Sequence, residues 1–431
     1  METDVIARLI EGSYPDPETG LPVRVETRAL AIEPSLDGIE LDLVRPLGLG
    51  RRLAVVSDRT THAVLGERIE RALRGSFRVD SVILPTEPHA DGPTVETVRR
   101  ATAAADALVA VGSGTINDLC KFAAANDRKP YVVFGTAPSM NGYTSLNAAI
   151  TLDGHKKSLA AQAPVGAFFD LEILSAAPPR MIRSGLGDSL CRPTAQADWL
   201  LAHLLLDQPF RQLPFALLAE DEAPLLESAG ALLAGDPDAM RRLVRTLVLS
   251  GFGTAICGSS QPASQGEHLI SHYADMMGDP SWPRAFHGEQ IAVTTLTMAE
   301  LQERMLDGPA PVLREDEEDE AAITRRLGDS LGRSCWAEFV QKRVDRAKAA
   351  VLNERLAASW QTIRESIGAV LRPASFLRKV LAQAGAPARP QDVGWPAEFY
   401  REAVRNARLI RNRYTFLDLA AGSGKLHPGE F

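Results

Sequence analysis

Short apolar runs punctuate the first half of the chain, and polar segments with helical spacing fill the gaps between them. Leu53–Val56, Ser81–Leu84, Leu108–Val111 and Tyr131–Phe134 each have the length of a buried strand. Apolar residues recur at three- and four-residue intervals over 60–74, 94–105 and 115–125. Short strands alternating with helices predict βαβ units and a parallel sheet. Beyond about residue 175 the strand-like runs stop, and 178–270 and 320–420 carry helical periodicity. The pattern predicts an α/β domain over 46–175 and an all-α domain over 176–431. Residues 1–45, broken by Pro and Gly, are read as an N-terminal extension.

Composition narrows the classes of function. A chain of 431 residues, 45% hydrophobic and 24% charged, has room for two domains with a large core. Its net charge of −8 argues against nucleic acid and against an anionic membrane surface as partners. The start, Met1-Glu2-Thr3-Asp4, carries acids where a secretory signal carries bases. No apolar stretch is long enough for membrane insertion; Leu243–Cys257 comes nearest and is broken by Arg245 and by glycines. Four scattered cysteines (120, 191, 257, 335) suit a reducing cytosol and offer no thiolate metal cluster, so the expected localisation is cytoplasmic.

A parallel sheet binds ligands at the carboxyl ends of its strands. At one such end lies Gly112-Ser113-Gly114-Thr115, ahead of Asp118. Glycines there permit a sharp turn and close approach by an anion, and the first N–H groups of the next helix point at it. A dinucleotide diphosphate is the expected occupant. At a second strand end lies Thr136-Ala137-Pro138-Ser139-Met140-Asn141-Gly142, and Ser145 follows. Ser57-Asp58 follows the first strand. An acid there favours the free 2′-hydroxyl of NAD, whereas Arg59 suits the 2′-phosphate of NADP, so both coenzymes stay open.

Three pieces carry candidate metal chemistry. His268, His272 and Asp275 form a stripe on an amphipathic helix beside an apolar face of Leu269, Ile270, Tyr273, Met276 and Met277. Such a pair of imidazoles can share a metal, divide metal and substrate between them, or be a polar stripe. His287, beside Gly288, stands at an expected helix start. Asp188 follows Gly185 and Gly187 at what reads as another helix start, as an N-cap or a carboxylate ligand. Asp with two His suits Zn²⁺ with an open position, and also Fe²⁺ or Ni²⁺. Glu315–Glu320 reads as a solvated helix start or surface loop, and Gly422-Ser423-Gly424-Lys425 as a flexible tail, since Leu426 replaces the Ser or Thr of a P-loop.

In this order along the chain, these segments and Ile410–Asp418 resemble the bacterial sn-glycerol-1-phosphate dehydrogenases. Those enzymes belong to the iron-containing alcohol dehydrogenase superfamily, with glycerol dehydrogenase and 3-dehydroquinate synthase as cousins. The resemblance implies a Rossmann-like N-terminal domain, a helical C-terminal domain and an active site in the cleft between them. It implies NAD or NADP over Gly112, Gly114, Thr115 and Asp118, with the nicotinamide near Thr136 and Ser139; Asp58, Ser113 and Ser145 join them as candidate coenzyme contacts. It implies one divalent metal on Asp188, His268 and His287, zinc first and nickel or iron as alternatives. The reaction would be reversible reduction of dihydroxyacetone phosphate to sn-glycerol 1-phosphate, with Asn141 close to the substrate and the proton for the product hydroxyl coming from metal-bound water or from His272 through water. A metal with an open position can take the charge that develops on the ketone oxygen.

Two departures stand out. The family's common form has Asp where this chain has Asn141, and an amide cannot shuttle a proton. Another polyol, phosphorylated hydroxy-ketone or phosphonate is therefore an alternative substrate. Where the iron enzymes have a fourth ligand, this chain has Arg192, which cannot ligate. A 3-dehydroquinate synthase-like lyase fits poorly, because that family uses Glu as its acidic ligand; a non-catalytic dinucleotide-binding protein has only Asn141 in its favour. Lys156, Lys157, Arg192 and Arg284 are candidates for a substrate phosphate. A homo-oligomer, taken as a dimer, follows from the resemblance.

Overall fold

The structure, a computed structural model, describes residues 4–152, 155–427 and 429, without the side chains of His155 and Lys156. It divides into two compact units, one of residues 1–189 and 212–260, the other of residues 190–211 and 261–431.

The first unit is built on a six-stranded parallel sheet. Its strands are β1 (Ala29–Glu33), β2 (Arg52–Asp58), β3 (Arg78–Leu84), β4 (Ala107–Gly112), β5 (Tyr131–Gly135) and, after an antiparallel hairpin of β6 (Asn147–Leu152) and β7 (His155–Ala160), β8 (Gly166–Asp170). The spatial order is β1-β8-β5-β4-β2-β3. Every residue of β4, β5 and β8 is buried, which is why these strands read as unbroken apolar runs. The four expected strands are present. The edge strand β1 was not expected: residues 29–33 pair with β8 and so belong to the sheet rather than to an extension. Its half-exposed residues show no alternation from which a strand could be read.

Helix α1 spans 59–73 with one π turn, α2 is Gly92–Ala101 and α3 is Gly114–Asp127. The chain steps outward from β2 to β3, then returns past β2 to β4. Right-handed crossovers therefore put α1 on one face and α2 and α3 on the other. In agreement, α2 packs on α3, while α1 packs on the short helix Glu40–Val44. The chain leaves neighbouring β2 and β4 toward opposite faces, so their carboxyl ends, Asp58 and Gly112, flank the sheet's switch point. The 147–160 hairpin packs over α3 and α2. Helices α4 (Pro179–Leu190) and α6 (Pro237–Cys257) complete this unit, and α5 (Arg192–Leu206) belongs to the second.

The second unit is helical. Its core is built from α7 (Gly266–Met277), α8 (His287–Asp307), α9 (Arg346–Gly368), α10 (Ala397–Asn406) and α11 (Phe416–Gly422), with α5 packed on α7, α8 and α9. On α7, Leu269, Ile270 and Tyr273 are buried in that core and Met276 and Met277 pack at its margin, as the periodicity predicts. Two expectations are corrected. Asp316 is buried, pairs with Arg408 at 2.7 Å and accepts the Val344 N–H, so the acidic run is only partly solvated. Residues 422–425 form the hydrogen-bonded end of α11, with Gly424 at φ 70° and the Lys425 N–H on Ala420 O. The resulting C-terminal turn satisfies carbonyls that a loose tail would leave open. Among the described residues no helix is long and apolar enough to cross a membrane.

Candidate active site

In the first unit the candidate groups converge on the loops that leave β2, β4 and β5. Gly112 ends β4, and a Cβ there would run into Ile116 in the first turn of α3. Gly112 therefore allows the helix to start directly at the strand end. Ser113, the residue before α3, makes no side-chain cap, so the first N–H groups of α3 keep their capacity for an anion. A Cβ at Gly114 would press on Met140. Asp58 ends β2 and accepts the Thr61 N–H at 2.8 Å, capping α1.

The loop 136–147 is held from several sides. The Thr136 N–H donates to Gly112 O at 3.1 Å. Tyr143 donates to Ala137 O at 2.6 Å, Thr144 to Val248 O at 2.8 Å, and Ser184 to Ser139 O at 2.9 Å. Gly185 of α4 lies so close to Pro138 O that a Cβ would collide with it. Lys121, on α3 and fully buried, donates to Gly142 O at 2.5 Å, Ser145 Oγ at 3.0 Å and Asn147 O at 3.1 Å. Burial pushes its ammonium down to about 8, and Asp118 at 4.0 Å pulls the other way. Asp118 accepts the Ala149 N–H at 3.1 Å. Asp118 and Ser145 are thus tied to protein partners, while Thr136 and Ser139 are buried in the loop itself.

Asp188 is fully buried and accepts the Asn141 N–H at 2.7 Å. It sits near the end of α4, not at a helix start, because Gly185 before it serves helix–loop contact rather than a turn. Among the described residues the Asn141 side-chain amide nitrogen is buried without a hydrogen-bond partner.

In the second unit three imidazoles cluster. His268 and His272 stand one turn apart on α7, and His287 is the first residue of α8. Ring centroids are 5.1 Å apart for His268–His287, 5.8 Å for His268–His272 and 6.2 Å for the stacked His272–His287 pair. The Nε2 atoms of His268 and His287 are 3.3 Å apart. Glu267, wholly buried, meets His268 Nδ1 at 2.9 Å and also accepts the Gln265 N–H at 2.7 Å. A carboxylate on Nδ1 holds the proton there and turns the Nε2 lone pair outward, the usual support of a metal-bound histidine. Cys191, Glu267 and His268 also have ligand atoms within 4.8 Å of one another, yet both Glu267 and the Cys191 thiol have protein partners.

The start of α7 depends on a residue that the sequence reading passed over. Asp198 of α5, fully buried, accepts the Gly266 N–H at 2.9 Å. Burial and the nearby Glu267 carboxylate push its carboxyl up to about 8, against the pull of three donors. A lone acid beside the apolar residues Ala195, Ala197, Trp199, Leu200 and Leu201 was the available signal. Of the phosphate candidates, Arg192 is buried in the first turn of α5, Lys157 and Arg284 are exposed, and the Lys156 side chain lies outside the described residues.

The family model described as iron-containing alcohol dehydrogenase matches residues 31–178. The glycerol-1-phosphate dehydrogenase [NAD(P)+] of Bacillus subtilis is 30% identical over 93% of this chain and 92% of its own. The enzyme of the same name from Pyrococcus furiosus is 34% identical over 61% of this chain and 74% of its own. Among solved structures, sulfoacetaldehyde reductase from Bifidobacterium kashiwanohense in complex with NAD+ covers 92% of this chain and 94% of its own, with a TM-score of 0.59 and 14% identity. That likeness concerns the fold.

Proposed function

The chain belongs to the glycerol-1-phosphate dehydrogenase family, within the iron-containing alcohol dehydrogenases, and from that premise we propose that it catalyses the reversible NAD(P)H-linked reduction of dihydroxyacetone phosphate to sn-glycerol 1-phosphate. The metal would be held by Asp188, His268 and His287, with zinc first and nickel or iron as alternatives.

The observation that carries this reading is the pair of histidine nitrogens. Two nitrogens about 2.05 Å from a tetrahedral ion stand about 3.3 Å apart, and the Nε2 atoms of His268 and His287 are 3.3 Å apart. Glu267 keeps the His268 tautomer that presents this nitrogen as an acceptor. The donor set of two imidazoles and one carboxylate is the borderline N/O set that such ions take. When bound, the ion supplies Lewis acidity toward the carbonyl oxygen, and the reduced coenzyme supplies hydride.

The protein's own groups do the rest. Main-chain N–H groups at Gly112, Ser113, Gly114 and Thr115 would meet the coenzyme diphosphate, and Asp58, across the switch point, its ribose. Thr136 and Ser139 line the nicotinamide end. Asp118 and Ser145 act by position, through Ala149 and Lys121. Asp188 fixes Asn141 through its main-chain N–H, leaving the buried amide to meet a substrate oxygen. The His272 imidazole would deliver the proton that the product hydroxyl requires. The reading keeps the enzyme cytosolic, as its scattered cysteines suggest, and a homodimer, as the resemblance implies.

One observation favours a second reading. An amide at Asn141 donates and accepts but carries no mobile proton, which suits recognition of a different hydroxy-ketone by the same chemistry. The test offers dihydroxyacetone phosphate with NADH or NADPH, follows loss of the reduced coenzyme, and resolves the product enantiomers. Formation of sn-glycerol 1-phosphate is the expected result. Coenzyme binding without turnover on this substrate, and turnover on another hydroxy-ketone, would transfer the assignment to the second reading.

A further inference from the structure

Helix α7 carries His268 two residues from its first residue, yet its preceding residue, Gln265, makes no side-chain cap. The N–H of Gly266 is taken instead by Asp198 Oδ2, from α5, at 2.9 Å. A Cβ on Gly266 would lie 2.7 Å from that oxygen and 2.5 Å from Met298 Cε, so the contact leaves no room for another residue. The other carboxylate oxygen, Oδ1, accepts the N–H of Phe416, the first residue of α11, at 2.9 Å and the Gln302 side chain of α8 at 3.1 Å. Gln302 donates also to Thr194 O at 3.0 Å. Arg413 of the same C-terminal segment donates to Ser264 O, just ahead of α7. One buried carboxylate thus joins the start of α7, the middle of α8 and the start of α11.

We propose that Asp198 is a positioning residue that couples the C-terminal segment 410–418 to the His268–His287 pair. The inference rests on the metal reading of that pair. Successive residues of an α-helix are about 100° apart around the axis, so a small rotation of α7 swings the His268 nitrogen away from the one on His287. Asp198 fixes that rotation at the first residue of the helix. It also gives Ile410–Asp418 a role in holding the ligand pair. A carboxylate has an acceptor on each side, whereas an amide has one. Asp198→Asn must therefore lose either the Gly266 bond or the Phe416 bond.

The experiment strips the full-length protein of metal and titrates it with Co²⁺, following affinity and the visible spectrum. Loss of a group supporting a metal ligand typically weakens affinity about 10–100-fold, and Asp198→Asn is expected to fall in that range with an altered cobalt spectrum. NADH affinity, which rests on other residues, is expected to stay within about twofold of wild type. Leu356→Ala, in the core of the same unit, controls for lost stability and is expected to leave cobalt binding unchanged. If Asp198→Asn does not fold, Gln302→Met removes one support, and an affinity loss of about threefold or more is expected. Wild-type cobalt affinity and spectrum in either folded variant overturn the proposal, and so does equal weakening by Leu356→Ala. Failure of wild type to bind Co²⁺ overturns the metal reading itself.

Discussion

At the carboxyl edge of the sheet, the groups proposed to meet the coenzyme diphosphate belong to the main chain, and side chains from elsewhere hold the neighbouring loop in place. Lys121 gathers Gly142 O, Ser145 Oγ and Asn147 O, while Ser184, Tyr143 and Thr144 pin other points of the same loop. In the helical unit the reverse holds. The proposed ligands are imidazoles, and buried acids sit behind them: Glu267 on His268 directly, Asp198 at the start of α7. The difference teaches where each half is fragile. The loop site fails when backbone space is filled. The histidine site fails when an acceptor is lost.

The largest effect is expected at the imidazoles. His268→Ala or His287→Ala removes Lewis-acid stabilisation worth several kcal/mol, a fall in turnover of about 10³-fold or more. Circular dichroism should show a folded protein and steady-state assays the loss. Near-normal turnover in either folded variant would break the contrast at its strongest point. A smaller loss is expected of Glu267→Gln, which exchanges the carboxylate on His268 Nδ1 for an amide. Metal affinity should fall about 10–100-fold, read by competition with a chelator, whereas NADH affinity should hold.

On the sheet side, Gly185→Ala is the informative change. Its methyl would occupy the place of Pro138 O, so the 136–141 loop must move. A stability loss of about 1–3 kcal/mol and a raised KM for the coenzyme are expected in urea titrations and kinetics. An unaltered KM would show that the loop does not position the coenzyme.

A pH signature is expected at Lys121. Its folded pKa, about 8, lies below the ordinary 10.5 because burial disfavours the charged form. Between those values the unfolded chain holds a proton that the native chain has released, so stability rises with pH through the window. Wild type should therefore gain on Lys121→Met from pH 8 to pH 10.5, with a constant difference below pH 8. Paired urea titrations at pH 7, 9 and 10 measure it. A difference that shrinks across the window would contradict the burial argument.

The same contrast explains what could be read in advance. The central strands are apolar throughout because both faces are covered, and Gly112 is needed where a strand turns directly into a helix. Such demands are local, so they leave local patterns. The edge strand Ala29–Glu33 escaped because it is half-exposed and pairs with β8, over a hundred residues on. Asp188 was read as a helix start because glycines usually mark turns, whereas Gly185 instead lies against Pro138. The stripe of His268 and His272 was visible from spacing. Their supports were not, because Asp198, Gln302 and Phe416 meet only in the folded helical unit.

The most direct test of the central claim is metal dependence of turnover. The enzyme is stripped by chelation, freed of chelator, and assayed for dihydroxyacetone phosphate reduction while Zn²⁺ or Ni²⁺ is restored in steps. The account predicts negligible turnover without metal and full recovery at one ion per chain. Undiminished turnover in protein shown to be metal-free would contradict it.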